Sequence, residues 1–235
     1  MGVVRYKRGD LKAFVRYAKR ALEIDQSSDA AALLAFVLAE TGITDDARRY
    51  AEMALYRDPL SFFAYWGGGA LEIFLGRPDL ALARLDSAPG QLSSNEPFPL
   101  WWEAQAAGYA GNEARAREKL AEVVEMEAGF LSDMSELLSR ALSDDRHGVK
   151  EVLKQTAVCE MAQTDEYFPL YIANALARVG ELDEALTWLE QAVSWGFTNH
   201  DFLSKHNRYL EPLRGMQRFE ALIEVARKKQ REFVT

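Results

Sequence analysis

Apolar residues recur at helical spacing along most of the chain, and glycines interrupt this pattern. The clearest unit covers residues 167–196, where one apolar stripe leads to Gly180 and a second follows it. Gly180 can adopt the positive φ that ends a helix, and Glu181, Asp183 and Glu184 suit the first turn of the next helix. The unit therefore predicts two short antiparallel helices. Because a single hairpin cannot bury both of its faces, we expect similar neighbours.

The glycine-to-alanine spacing of this unit recurs along the chain. A glycine stands twelve residues before an alanine at Gly9 and Ala21, at Gly42 and Ala54, and at Gly180 and Ala192. Less regular copies surround Gly76 and Gly111. A fixed period is typical of repeat proteins. We therefore interpret the chain as a single array of repeats. Its parts are a partial repeat (1–27), repeats at 28–61 and 62–88, an inserted loop (89–99), a repeat at 100–127, a degenerate hairpin (128–165), a repeat at 166–196 and a cap (197–235).

Seven residues of the clearest unit follow a known order of large and small side chains: Ile172, Ala173, Leu176, Gly180, Ala185, Leu189 and Ala192. This order resembles the tetratricopeptide repeat (TPR), a helix–turn–helix motif with a period of about 34 residues. Strand signals are nearly absent, so the sequence predicts an all-α protein. The resemblance implies a right-handed α-solenoid of about six TPR-like hairpins with a C-terminal capping helix. It also implies an inner groove lined by the first helix of each hairpin.

Two regions depart from the repeat pattern. In the degenerate hairpin the sequence predicts two helices, near Phe130–Leu142 and Val149–Met161. Beyond the last repeat, short turns lead to a helix from about Met216, whose apolar face includes Phe219. We interpret residues 197–235 as a terminal cap, apolar toward the last repeat and charged outward.

A second pattern runs through the C-terminal residues Gly196, Phe197, Phe202, Leu203, His206, Leu210, Pro212, Leu213, Arg214, Arg218, Phe219, Ala221 and Leu222. It resembles the tail that closes the TPR region of many bacterial multidomain signalling proteins, including eukaryotic-like serine/threonine kinases. This resemblance implies an alternative function. The chain would then be a regulatory or sensor segment of a larger signalling protein, whose kinase- or cyclase-type catalytic domain lies outside it.

The composition limits the classes of partner. The chain has 235 residues, 49% of them hydrophobic, and a net charge of −8. This acidic balance argues against nucleic acid as the main partner, because phosphates require a concentrated basic face. The basic run 227–231 is either a favourable helix end or a partner site. The longest apolar run, Ala30–Ala39, is about half of a membrane span, so we expect no membrane insertion and a cytoplasmic location.

No residue pattern in the sequence points to catalysis. His147, His200 and His206 lack the spacing of a metal-binding pair, and we expect no enzymatic activity, metal or cofactor. Gly67–Gly69 could form a phosphate loop, but the Lys-Ser/Thr that completes such a loop is missing, and a close helix contact is favoured. The single cysteine, Cys159, excludes an intramolecular disulfide and is interpreted as a buried residue without reactivity. An active site built from residues distant in sequence stays an alternative.

Function in such an array is expected on the groove side of the first helices. The candidate partner-binding residues are Phe36, Phe63, Trp66, Trp101, Trp102, Gln105, Tyr167, Tyr171, Asn174 and Arg178. Exposed aromatic side chains anchor peptides, and amide side chains pair with a peptide backbone. The alternative is that the aromatic residues pack between repeats. We predict a non-catalytic module that binds a protein or peptide, with self-association through the truncated first repeat as a second prediction.

Overall fold

The computed structural model describes residues 10–25, 27–89, 96–163 and 167–234. Within these ranges the chain forms helices and turns without a β-strand, so the all-α prediction is confirmed. The predicted turn at Gly9 and most of the predicted loop at 89–99 fall outside the described residues. In the part that is described, no helix combines the length and the apolar character needed to cross a lipid bilayer.

The described residues form thirteen α-helices in chain order. They are α1 (Leu11–Ile24), α2 (Ser28–Glu40), α3 (Thr44–Arg57), α4 (Phe62–Phe74), α5 (Pro78–Asp86), α6 (Pro97–Tyr109), α7 (Glu113–Glu125), α8 (Phe130–Leu142), α9 (Arg146–Leu153), α10 (Thr156–Ala162), α11 (Phe168–Arg178), α12 (Leu182–Trp195) and α13 (Gln217–Val234). A π-helical turn (Phe202–His206) and a 3-10 helix (Arg208–Leu213) separate α12 from α13.

Consecutive helices pack as neighbouring pairs: α2 with α3, α4 with α5, α6 with α7, α8 with α9, and α11 with α12. The first helices of successive pairs also contact each other, α2 with α4 and α4 with α6. In four pairs a glycine of positive φ follows the first helix: Gly42 at 80°, Gly76 at 72°, Gly111 at 84° and Gly180 at 82°. Because glycine tolerates this left-handed conformation, these positions end one helix and allow the chain to reverse.

The three consecutive glycines lie inside helix α4 and are buried. A Cβ atom at Gly67 would come within 2.9 Å of the carbonyl oxygen of Ala32 in α2. That neighbour is backbone and cannot move aside, so the close approach of α2 and α4 requires glycine at this position. A helix interior is also not the loop that a phosphate would need, which leaves the helix-contact interpretation.

The degenerate hairpin differs from the prediction in its second half. In place of one helix over Val149–Met161, the structure has α9 and α10, separated by Lys154 and Gln155. Val152 and Val158 are both buried. Six residues apart, they would point about 120° apart around a straight helix, since each residue turns the chain by about 100°. The break allows both side chains to face the core beside α8.

Residues 197–213, called here the inner segment, do not cover the outer face of the last pair as predicted. They pack against the C-terminal ends of α2, α4, α6 and α11. Five of their apolar side chains are 0% exposed, namely Phe197, Phe202, Leu203, Leu210 and Leu213. Fully burying one such side chain contributes about 1.5–3 kcal/mol, which favours this internal position over an exposed end.

Helix α13 follows the inner segment and joins the two ends of the described array. Its apolar face is buried, with Phe219 1% exposed, and it packs on α12. Gln230 Nε2 donates a hydrogen bond to the carbonyl oxygen of Gly42 at 3.1 Å, and Lys12 Nζ donates to the carbonyl oxygen of Glu232. The last helix therefore contacts both α1 and the α2–α3 turn. Self-association through the first repeat stays a prediction.

Candidate functional site

Eight of the ten predicted groove residues are no more than 5% exposed. They are Phe36, Trp66, Trp101, Trp102, Gln105, Tyr167, Tyr171 and Asn174. The expectation that these side chains are exposed in a groove is therefore wrong. The aromatic residues among them pack in the core, which is the alternative given above. The other two are accessible: Phe63 is 43% exposed and the Arg178 side chain is 30% exposed.

The predicted aromatic residues form one continuous cluster across α2, α4, α6 and α11. Ring centroids are 4.8 Å apart between Phe36 and Trp66, 5.8 Å between Trp66 and Trp102, and 5.4 Å between Trp102 and Tyr167. Tyr167 lies a further 4.5 Å from Tyr171. Such aromatic pairs stabilise by about 0.5–1.5 kcal/mol beyond the area they bury. The cluster therefore acts as core between the helix pairs.

The inner segment fills the remaining space on the inner side. Phe202 packs its ring 5.0 Å from Phe74 in α4 and 5.6 Å from Tyr109 in α6. Phe197 lies 5.5 Å from Phe74. The sequence shows these phenylalanines only as apolar residues near the end of the chain. Their placement against helices that lie far away in the sequence explains why the groove is closed.

A buried amide network fixes the inner segment to α6 and α11. Asn174 Nδ2 donates to the hydroxyl oxygen of Tyr109 at 2.9 Å, and Asn207 Nδ2 donates to Asn174 Oδ1 at 2.9 Å. Asn207 Oδ1 accepts from the backbone N–H of Tyr209 at 3.1 Å. Burial raises the pKa of Tyr109 far above its usual range and raises the pKa of Tyr209 to about 12. Both hydroxyls are therefore neutral near pH 7.

The inner segment also donates hydrogen bonds to carbonyl groups at the C-terminal end of helix α2. The backbone N–H groups of Thr198 and Asn199 donate to the carbonyl oxygen of Glu40 at 3.1 and 2.8 Å. Asn199 Nδ2 donates to the carbonyl oxygen of Ala39 at 2.9 Å. The last carbonyl groups of a helix lack partners within the helix, so these bonds remove a cost that burial would otherwise impose.

Four of the predicted residues come together around one small cavity. Gln105 in α6 and Tyr171, Asn174 and Arg178 in α11 line it, together with Tyr209 of the inner segment. Spacing along α11 places Tyr171, Asn174 and Arg178 on one face, which is the signal that the sequence offers. The sequence gives no corresponding signal that Tyr209 closes the cavity, because Tyr209 lies outside the repeat pattern.

An apolar groove opens on the surface beside the aromatic cluster, with a volume of about 520 Å³. It lies at the N-terminal ends of α4 and α6 and at the α7–α8 turn. Its lining consists of Phe62, Phe63, Glu96, Pro97, Phe98, Pro99, Ala128 and Leu131. We call this surface the apolar groove. Sequence reasoning identified Phe63 but missed Phe98, because the proline-rich stretch around Phe98 was interpreted as an inserted loop.

The remaining candidate groups are paired or isolated in the described residues. No group of three or more histidine, cysteine or acidic side chains there could hold a metal ion. Cys159 is half-buried, and burial raises the pKa of its thiol, so it stays protonated. In the basic run, Arg227 contacts Glu224 at 2.7 Å. Lys229 donates to carbonyl groups at the end of the neighbouring helix α12, and only Arg231 of this run lies in the last turn of α13 itself.

Comparison of the sequence with protein-family models and with curated proteins found no match. The geometry of the apolar groove is therefore the basis for proposing a function.

Proposed function

We propose that this chain is a non-catalytic protein-binding module, built as a right-handed α-solenoid of about six TPR-like hairpins with a C-terminal capping helix. The proposed site is the apolar groove, which binds an apolar segment of a partner protein or peptide. The observation that carries the proposal is Phe63, which is 43% exposed although it belongs to an otherwise buried aromatic cluster.

The groove is supported from behind by rigid aromatic rings. The ring of Phe63 lies 5.7 Å from Trp66 and 5.6 Å from Phe98, and Trp66 lies 5.4 Å from Phe98. Trp66 is 5% exposed and held in the core. Ordering these side chains on binding would therefore cost little free energy. Well-packed aromatic residues of this kind are frequent hot spots of binding.

The charge around the groove favours a basic partner segment. Among the described residues that line it, Glu96 is charged and none is lysine or arginine, and the chain carries a net charge of −8. Charge complementarity guides association and excludes partners of like charge. We therefore infer a segment with an aromatic or branched aliphatic side chain flanked by lysine or arginine.

The inner side of the array is a weaker candidate for partner binding. A partner there would have to displace the inner segment, in which Phe202 and Asn207 are 0% exposed. It would also have to replace the hydrogen bonds around Asn174. An exposed groove requires neither step, so a partner can bind it while the fold stays intact.

The test is to select a displayed peptide library against the full chain and to measure the affinity of enriched peptides by fluorescence anisotropy. Phe63→Ser removes the exposed ring. Tyr56→Ser is the matched control, because Tyr56 is 90% exposed and does not line the groove. We expect a loss of about tenfold or more for Phe63→Ser, as for a hot-spot residue, and unchanged affinity for Tyr56→Ser.

Both variants should keep the melting temperature of the parent chain within a few degrees, since the two side chains are exposed. Equal affinity of the two variants would overturn the assignment of the groove. Enriched peptides without basic residues would overturn the inferred partner chemistry.

A further inference from the structure

A second groove lies between helix α13 and the start of the inner segment, separate from the apolar groove. Its volume is about 290 Å³, and the described side chains that line it are His200, Arg227, Gln230 and Arg231. We call this surface the basic groove. Each of the four side chains can donate a hydrogen bond, and none of them is acidic. In a chain with a net charge of −8, such a local group of donors favours an anion.

The basic run 227–231 places its four cations in different surroundings. Lys229 Nζ donates to two carbonyl oxygens at the end of α12, both at 3.0 Å. The Lys228 side chain is 80% exposed and does not line the basic groove. Arg227 and Arg231 are four residues apart, so they lie on one face of α13, and both line the groove. A partner site in this run therefore rests on the two guanidinium groups.

The charges around the basic groove leave a positive balance. Arg227 Nη1 lies 2.7 Å from Glu224 Oε1, and Lys205 Nζ lies 2.5 Å from Asp201 Oδ1. Arg231 forms no ion pair within the described part of the chain. Three cations thus stand against two carboxylates before the imidazole is counted. Exposed ion pairs stabilise little, so an anion can compete with Glu224 for Arg227.

A glutamine fixes the orientation of the imidazole. Gln230 Nε2 donates to the carbonyl oxygen of Gly42 at 3.1 Å, which directs Gln230 Oε1 toward His200. That oxygen accepts from the backbone N–H of His200 at 3.3 Å and lies 2.8 Å from ring Nδ1. An amide oxygen can only accept, so Nδ1 carries a proton. His200 Nε2, which is 3.7 Å from Asp201 Oδ1, is the ring nitrogen left to bind a ligand.

We propose that the basic groove binds a phosphate group that carries at most one ester bond. Arg227 and Arg231 donate to its oxygens, since the planar guanidinium matches phosphate geometry. His200 Nε2 accepts a hydrogen bond from a P–OH group when the ring is neutral and donates to a P–O oxygen when it is protonated. The site is independent of the apolar groove and gives the chain a second ligand. Inorganic phosphate and an organic phosphate monoester share this chemistry.

The experiment is a ³¹P NMR titration of the full chain at pH 7 with sodium phosphate and with O-phosphoserine, at an ionic strength held constant with sodium chloride. Affinity in about the millimolar range is expected for so small a ligand. Arg231→Gln should weaken binding about tenfold, because it removes a charge-assisted hydrogen bond. Lys228→Gln is the matched control. It removes the same charge from the same helix outside the groove, and affinity should stay within about twofold.

His200→Asn tests the imidazole, because asparagine keeps a donor near the position of Nδ1 and removes Nε2. We expect binding to weaken about tenfold. Arg231 and Lys228 are exposed, so their variants should keep the melting temperature of the parent chain within a few degrees. The arginine test therefore does not depend on the folding of His200→Asn.

Competing anions test the chemistry of the ligand. Sulfate carries no proton at pH 7, and its binding as tightly as phosphate would overturn the role of His200 Nε2. Tighter binding of the diester dimethyl phosphate would overturn the monoester and indicate a nucleic-acid backbone. The tighter of phosphate and O-phosphoserine identifies the source of the group. Equal weakening in Arg231→Gln and Lys228→Gln, or no binding of either phosphate ligand, would overturn the site.

Discussion

Replacing Asn174 by alanine tests whether the buried amide network holds the inner segment in place. Asn174 is 2% exposed. Its Nδ2 donates to Tyr109 and its Oδ1 accepts from Asn207, both at 2.9 Å. These two bonds connect α11 to α6 and to the inner segment. Their loss should therefore weaken the closure of the inner side.

The expected magnitude follows from the groups that lose their partner. The substitution leaves the Tyr109 hydroxyl and the Asn207 amide buried with one bond fewer, and each such group costs about 1–3 kcal/mol. We expect Asn174→Ala to lower the free energy of unfolding by about 2–6 kcal/mol, a large share of a typical stability of about 5–15 kcal/mol. Asn112→Ala is the matched control. Asn112 is exposed and caps α7 through the N–H of Arg115, which is worth about 1 kcal/mol.

The assay is urea unfolding followed by circular dichroism and tryptophan fluorescence, with the free energy taken from the midpoint and slope. A double-mutant cycle with Tyr109→Phe isolates one bond, and we expect a coupling of about 0.5 kcal/mol or more. A loss for Asn174→Ala no larger than that for Asn112→Ala would refute the reasoning. It would mean that apolar packing alone keeps the inner segment in position.

Two further predictions concern a helix contact and an ion pair. Gly67→Ala should lower the melting temperature, because its Cβ would meet the Ala32 backbone at 2.9 Å. Gly69→Ala, whose nearest neighbour is a side chain at 3.4 Å, should raise stability by up to about 1 kcal/mol through helix propensity; the reverse order would contradict the α2–α4 contact. Arg218 lies 2.7 Å from Glu190 and lowers its pKa in the folded state. The pair therefore stabilises above the unfolded pKa of about 4.3 and loses its effect as pH falls through the lowered folded pKa. Glu190→Gln should cost at most about 1 kcal/mol at pH 7 and nothing in acid, measured by thermal unfolding across pH, because the pair is largely exposed; a cost independent of pH would contradict this.

The inner segment changes how such an array is stabilised. In an open repeat array each unit contacts only its neighbours, and stability is a sum of local terms. Here residues 197–213 contact the ends of α2, α4, α6 and α11, so distant pairs share one set of contacts. The same arrangement leaves the apolar groove open at the surface.

Much of the helical pattern followed from local chemistry. Gly42, Gly76, Gly111 and Gly180 were placed at helix ends from spacing alone, and each has a positive φ in the structure. This is possible because helix periodicity and the conformational freedom of glycine act over a few residues. The break between α9 and α10 could not be predicted in this way. It depends on the tertiary packing, in which Val152 and Val158 are both buried.

The sequence by itself determined the all-α class and which helix faces carry large apolar side chains. The tertiary structure decided whether Trp66, Trp102 and Tyr171 face a partner or a core. Their spacing is the same in both cases, since an inward-facing aromatic residue on a first helix fits either role. Phe202 and Asn207, more than 30 residues after Tyr171, settle the matter by occupying the inner side. Contacts between such distant positions depend on how the helices stack, and no local pattern encodes that stacking.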